Sequence, residues 1–265
     1  MSEWWAAYLA IGAVVGFLAG LLGVGGGAVM VPLLVAAYAA QGFAPEQVLH
    51  IALGTSMATI FFTSLSSMRA HNQRGAVDWK VMRAMSPGIL TGSFGAALLA
   101  GALPTRPLAI IFAVLVLYAA LTMFFNVRPQ RTRELPGPAG IFAAGAGIGV
   151  ASSLFAAGGA FLSIPFLTWC NVPIRRAIGT AAANGFPIAL AGSADYIVHG
   201  WHTPGLPSGT LGFIYLPALA LIVATSMLVA PLGARTAYRL PVKQLRIIFA
   251  LLMFTLAMRM LATLW

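Results

Sequence analysis

Two glycine clusters, Gly23-Val24-Gly25-Gly26-Gly27 and Ala156-Ala157-Gly158-Gly159, interrupt the two longest uncharged stretches of the chain. A helix that starts just after such a break presents N–H groups without intrahelical partners and a partial positive charge. Glycine lets an anion approach that backbone closely. Hydroxyls and one amide accompany the clusters: Ser152, Ser153, Thr55, Ser56, Thr180 and Asn184, all able to donate to the oxygens of an anion. With Gly25, Gly26, Gly27, Gly158 and Gly159 they form the candidate anion-binding set. None of them is ionised, so a ligand would be held by dipoles, with no buried cation to be neutralised. A dinucleotide fingerprint fits poorly, because no strand precedes the glycines and no acidic residue follows about 20 positions on.

His50 and Arg175 stand one turn before Gly54-Thr55 and Gly179-Thr180, at equivalent places. They are candidates for attracting and passing anions at opposite entrances. Asp195, His199 and His202 fall at i, i+4 and i+7, a spacing that puts them on one helix face. Gly200, Pro204 and Gly205 nevertheless suggest that the helix is ending there. Asp195 is the default carboxylate for proton coupling, since no acidic residue lies inside either glycine-broken stretch. No catalytic group is assigned: Cys170, the single cysteine, has no paired histidine in its segment, and neither a carboxylate pair nor a strong zinc motif occurs. No metal or cofactor is expected, and without a Walker sequence ATP is not expected as a direct drive.

These residues must be positioned by membrane helices. Of 265 residues 60% are hydrophobic and 8% charged, with a mean hydropathy of +0.92, whereas soluble domains carry about 25% charged residues. That excludes an ordinary soluble protein and a disordered one. Glu3 and the length of the first apolar stretch argue against a cleaved signal peptide, so the N-terminus is expected to be retained. Uncharged runs at 47–68, 84–105 and 107–127 each suit one crossing, which needs about 20 apolar residues. The runs at 4–45 and 135–174 are about twice as long. As one straight helix, residues 6–40 would measure roughly 50 Å against a hydrocarbon core of about 30 Å. Each must therefore break at its glycines and fold back.

The chain reads as two copies of one unit. Gly16–Leu34 lines up with Gly149–Leu167, His50–Thr55 with Arg175–Thr180, Pro87 with Pro217, and Leu103–Ala113 with Leu240–Ala250. This divides it into a first membrane repeat (1–125), a polar, Pro-rich cytoplasmic linker (126–138) and a second membrane repeat (139–265). Such repeats are a mark of secondary transporters. If each glycine-broken run returns as a hairpin of two short helices, the positive loops sort sharply. One side then holds Arg69, Arg74, Lys80, Arg83, Arg128, Arg131, Arg133, Arg175, Arg176, Arg235, Arg239, Lys243 and Arg246, and the other only Arg106 and Arg259. The net charge of +10 is thus a topology label and gives no reason to expect nucleic acid. The expected fold is an all-α polytopic membrane protein of two inverted-topology repeats, each a glycine-broken helical hairpin plus three transmembrane helices. Both termini are expected outside, with Trp4, Trp5 and Trp265 as interface anchors, and the basic loops in the cytoplasm.

The sequence resembles the sulfite exporter TauE/SafE family, also called the 4-toluene sulfonate uptake permease family, over nearly its whole length. The most specific elements are Gly16-Phe-Leu-Ala-Gly20-Leu-Leu-Gly23-Val-Gly25-Gly26-Gly27, Val31-Pro32, Ala52-Leu-Gly54-Thr55-Ser56, and Arg69-Ala-His71-Asn-Gln-Arg74-Gly75-Ala-Val-Asp78-Trp79-Lys80. Ala177-Ile-Gly179-Thr180 with Asn184, and Tyr196 before Gly200, continue it. The run Ala156-Ala157-Gly158-Gly159-Ala160 departs from the fuller glycine run frequent in the family. The resemblance implies a multi-pass transporter of small anions in a bacterial inner membrane, with sulfite, sulfonates or sulfoacetate-like compounds as the substrate class. Its mechanism would be alternating access around a midplane site between the repeats. An anion channel of the same architecture is the alternative. Partners are then the small anion and the lipid bilayer. The small-residue face at Gly12 and Gly16, spaced like a packing motif with Gly20, leaves room for a homodimer.

Overall fold

Apolar runs rich in Ala, Leu and Gly, punctuated by glycine and proline, give helices throughout the described chain. The computed structural model describes residues 4–22, 26–102, 104–124, 134–155 and 159–236, with positions 247, 250, 251, 254, 255 and 258. The helices are α1 (Trp5–Leu22), α2 (Gly27–Ala40), α3 (Pro45–Asn72), α4 (Trp79–Ala102), α5 (Thr105–Phe124), α6 (Pro138–Phe155), α7 (Ala160–Trp169), α8 (Ile174–Gly200) and α9 (Leu216–Thr236). Between α8 and α9 a two-residue antiparallel hairpin pairs β1 (Thr210–Leu211) with β2 (Ile214–Tyr215). Pro45 at the start of α3 needs no intrahelical donor there.

The expected glycine breaks are present. Gly26 and Gly159, the caps preceding α2 and α7, both adopt left-handed backbone, with φ of 72° and 74°, a conformation that favours glycine. Gly25 and Gly158 lie outside the described residues. α1 and α2 fold back on each other: the Gln41 amide donates to the Tyr8 hydroxyl at 2.7 Å, while Gly26 rests on Val15 and Ala19. The arms are not two equally short helices, however. α1 and α6 have 18 residues each, roughly 27 Å at 1.5 Å per residue, whereas α7 has 10. The sorting of charges needs only the reversal of direction, so it survives this difference.

Glycines set the helix packing. Gly12, Gly16 and Gly20 lie against Ile222, Ser226 and Ala230 of α9, and a side chain at any of the three would enter α9 backbone. Gly88 and Gly92 of α4 meet Phe142 and Ala146 of α6 in the same way. Both pairs are parallel, since residue numbers rise together. α3 and α8 are antiparallel: Gly54 lies by Tyr196, Met57 by Gly192, and Phe61 by Phe186. α3 and α9 run parallel, linked by Ser66 to Met227 and Arg74 to Ala234. So do α4 and α8, linked by Asp78 to Thr180 and Met85 to Asn184. Hence α1, α3 and α9 point one way, and α4, α6 and α8 the other.

Several consequences follow. Arg69, Arg74, Lys80, Arg83, Arg175, Arg176 and Arg235 gather at one end of the helices, with Arg106 and Glu46 at the opposite end. The Gly12–Gly16 face, expected to be open to a second copy, is buried against α9 of its own chain. Close backbone approach there is already used within the protomer. The pairing of Pro87 with Pro217 also shifts. The α6 face Gly145–Gly149 meets Met85 and Ile89, as Gly12–Gly16 meets Ile222 and Ser226; Ala224 thereby takes the place of Pro87, and Pro217 falls in the first turn of α9. Large apolar side chains cover the outside, among them Val14, Val114, Tyr118, Val198, Leu228 and Leu232, while sixteen polar residues among those described are buried. α3 and α9 are each long and apolar enough to cross a bilayer unaided.

Candidate functional site

Two glycine–threonine pairs anchor the segments that lead into α9 and α4. Thr55 Oγ1 accepts the Tyr215 backbone N–H at 3.0 Å, beside Gly54, which leaves room for Phe213. Thr180 Oγ1 accepts the Asp78 N–H at 2.9 Å, beside Gly179, which leaves room for Ala76. Each threonine is fully buried, as are Phe213–Tyr215 and Ala76–Val77. The Tyr215 ring joins an aromatic group with Tyr8, Tyr38 and Phe43, ring centroids 5.0 to 6.5 Å apart. Thr55 and Thr180, read from sequence as anion donors, therefore hold backbone in this structure. Sequence reasoning missed the partners because Tyr215 and Asp78 lie 160 and 102 residues away.

The start of α7 gathers polar groups of another kind. Gly159 faces Ile188, midway along α8, with Ser152 Oγ close by. One turn into α7, Ser163 Oγ accepts from Asn184 Nδ2 at 3.5 Å, a long bond shared with Met85 Sδ at 3.7 Å. Among the described residues Asn184 Oδ1 has no partner, and neither has the hydroxyl of Ser153. Both residues are almost wholly buried. A buried polar atom left unpaired costs about 1–3 kcal/mol; the Ser153 hydroxyl can donate to an anion, whereas the Asn184 oxygen only accepts, so Asn184 meets an anion through Nδ2 alone. Ser163 and Met85 carried no signal in sequence, since the glycines alone marked this segment.

On the other glycine break, Gly26 and Gly27 begin α2 in the lee of α1. Ser56, the next residue after the Thr55 anchor, is fully buried with its hydroxyl unpartnered. The hydroxyls of Thr59 and Thr63 instead donate to carbonyls of their own helix. The two breaks are thus similar in backbone, and among the described residues Asn184 and Ser163 accompany α7.

The proposed mouths differ too. His50 is buried and its ring tilts on Phe213 at 5.3 Å, so the 213–215 segment covers it. Arg175 is exposed in the first turn of α8. Asp195, almost wholly buried, is the one buried carboxylate among the described residues. His199 Nδ1 lies 3.0 Å from its Oδ1 and 3.2 Å from its carbonyl oxygen. α8 ends at Gly200, so His202 lies beyond the helix and is exposed. Among the described residues no three metal-ligating side chains cluster.

Long apolar helices with a lipid-ready outside and hydroxyls turned inward define a polytopic helical membrane protein. The chain belongs to the sulfite exporter TauE/SafE family, which it matches over residues 8–260. It is a membrane transporter of the cell membrane and not an enzyme. A Haemophilus influenzae protein described as "Probable membrane transporter protein" is 39% identical over 253 residues, 95% of this chain and 96% of its own length. A Methanocaldococcus jannaschii protein similarly described is 25% identical over 256 residues, 95% and 93% of the two chains. "Probable membrane transporter protein YdhB" of Bacillus subtilis is 26% identical over 193 residues, 70% and 76%. No solved structure matches the chain.

Proposed function

We propose that this protein is a secondary transporter of small anions of the sulfur-oxyanion and organosulfonate class, sulfite and sulfoacetate-like compounds among them. It works by alternating access around a site between two inverted repeats, 1–125 and 139–265, joined by a cytoplasmic linker at 126–138. The observation that carries the reading is the Gly159 start of α7, where Ser152 Oγ lies close by, Ser163 stands one turn on beside Asn184 Nδ2, and the buried Ser153 hydroxyl is left to donate, with no ionised side chain among them. Gly25, Gly26, Gly27 and Ser56 supply the counterpart in the first half, and Ser153 and Gly158 adjoin the second. Thr55 and Thr180 act by holding the segments that frame these places.

The inverted arrangement is supported by helix direction. α1, α3 and α9 oppose α6, α8 and α4, so α1, α3 and α4 are antiparallel to their counterparts α6, α8 and α9. The gathering of seven Lys and Arg residues at one end supports placing that end in the cytoplasm of a bacterial cell, both termini outside. His50 and Arg175 then stand near opposite entrances, Arg175 in the open and His50 behind the 213–215 segment. Asp195, paired with His199, is the carboxylate for proton coupling.

Uptake of labelled sulfite and methanesulfonate into liposomes carrying the purified protein tests this. We expect saturable flux with counter-transport, lost in Asn184→Asp because a carboxylate there repels the anion. Flux that never saturates would favour the channel alternative, and absence of flux with every sulfur anion would overturn the substrate class.

A further inference from the structure

The helices that bind one another most intimately are not neighbours in sequence. α9, from the second half, lies along α1 with backbone against glycine at Gly12, Gly16 and Gly20, and Gly233 of α9 returns the contact at Phe17. It is tied to α3 by the Tyr215 N–H on Thr55, by Ser66 on the Met227 carbonyl and by Arg74 on the Ala234 carbonyl. α4, from the first half, is held in the second half by the same devices. Its glycines meet α6 backbone, Ser93 donates to the Gly149 carbonyl, and the Asp78 N–H is fixed on Thr180. Backbone contacts of this closeness have no slack, since a shift of a fraction of an ångström brings atoms into overlap.

Midway along, the contact between α3 and α8 is of a different kind, although nearer the α3 start Gly54 meets Tyr196 and the Phe213 N–H is held on the Tyr196 carbonyl. The flexible Met57 side chain rests on Gly192, and the Phe61 and Phe186 rings meet at 5.0 Å with a 34° tilt. Thioether and ring surfaces re-pack at small cost, as in sliding movements of packed helices.

We infer that the moving bodies of this transporter are not its two sequence repeats but two groups that have exchanged their fourth helices. α1, α2, α3 and α9 form one body; α4, α6, α7 and α8 form the other; they rock where α3 crosses α8. This rests on the transporter reading and deepens it. Gly26 and Ser56 belong to the first body, while Gly159, Ser163 and Asn184 belong to the second. Rocking would therefore part and rejoin the two half-sites, and the linkers 73–78 and 201–215 carry the chain from one body to the other.

Spin-label distances decide the matter. In a Cys170→Ala background, labels replace outward-facing Val14 on α1, Leu228 on α9 and Phe94 on α4, which are 48%, 75% and 47% exposed. Distances are recorded in lipid without additive, with sodium sulfite, with methanesulfonate, and at acidic and neutral pH. Val14–Leu228 spans the two repeats within one body and should stay fixed. Val14–Phe94 lies within one repeat across two bodies and should shift by about 2–5 Å. A shift of Val14–Leu228 with Val14–Phe94 constant would show that the repeats move as units and overturn the inference. So would constancy of both distances under every condition. Sulfite flux through the same labelled proteins reads the transport function separately: flux with the wrong distance pattern refutes the exchange alone, and lack of flux refutes the substrate reading alone.

Discussion

Replacing Thr55 by valine keeps its shape and removes the oxygen that accepts the Tyr215 N–H at 3.0 Å. Tyr215 is 5% exposed, so the amide cannot recover a water partner without local opening. An unsatisfied buried donor costs about 1–3 kcal/mol. For a chain of this size that corresponds to a fall in Tm of roughly 2–12 °C, taking about 2–4 °C per kcal/mol. The single cysteine, Cys170, is buried, so a fluorogenic maleimide that reacts only on unfolding gives the melting curve. Thr55→Ser retains the acceptor and should lose less than half as much. Thr180→Val, which orphans the Asp78 N–H, should behave likewise, and the double variant should be close to additive because the two sites share no partner. In both, the added stabilisation by sulfite should persist. A Thr55→Val protein that melts like the parent, yet no longer responds to sulfite, would refute the reasoning and make Thr55 a ligand donor after all.

Other outcomes follow from the same geometry. Ser56→Ala removes a hydroxyl with no partner, so stability should hold while half-saturation for sulfite rises several-fold in the liposome assay. Gly92→Leu must push α4 off α6, because even a Cβ there enters the backbone of Ala146; overpacking of about 1–3 kcal/mol or more should appear as a lower Tm and a poor yield of folded protein in size-exclusion profiles. Asp195→Asn should flatten the pH dependence of sulfite uptake without abolishing flux driven by a sulfite gradient; an unchanged pH profile would remove Asp195 from coupling. A reporter fused at the C-terminus should be active only when it functions outside the cytoplasm, and cytoplasmic activity would reverse the assigned orientation.

Sequence by itself determined the class of this protein and where its helices break. Apolar length against bilayer thickness is a one-dimensional constraint, and so is the need for glycine where the chain reverses; both are written along the chain, as Gly26 and Gly159 bear out with their left-handed backbone. The sorting of arginines by loop is equally local once the number of reversals is known. What the tertiary structure decided is which polar groups are already occupied. That Thr55 and Thr180 hold backbone could not be read along the chain, because a hydroxyl carries no record of a backbone amide brought to it from more than a hundred residues away. Asn184 kept an unpaired oxygen, and Ser163 joined it, only because α7 packs on α8. The glycine stripe at Gly12, Gly16 and Gly20 likewise announced a close helix contact, since a small-residue face has no other use for its missing side chains. That its partner is α9 of the same chain, and no second copy, depended on folding in three dimensions.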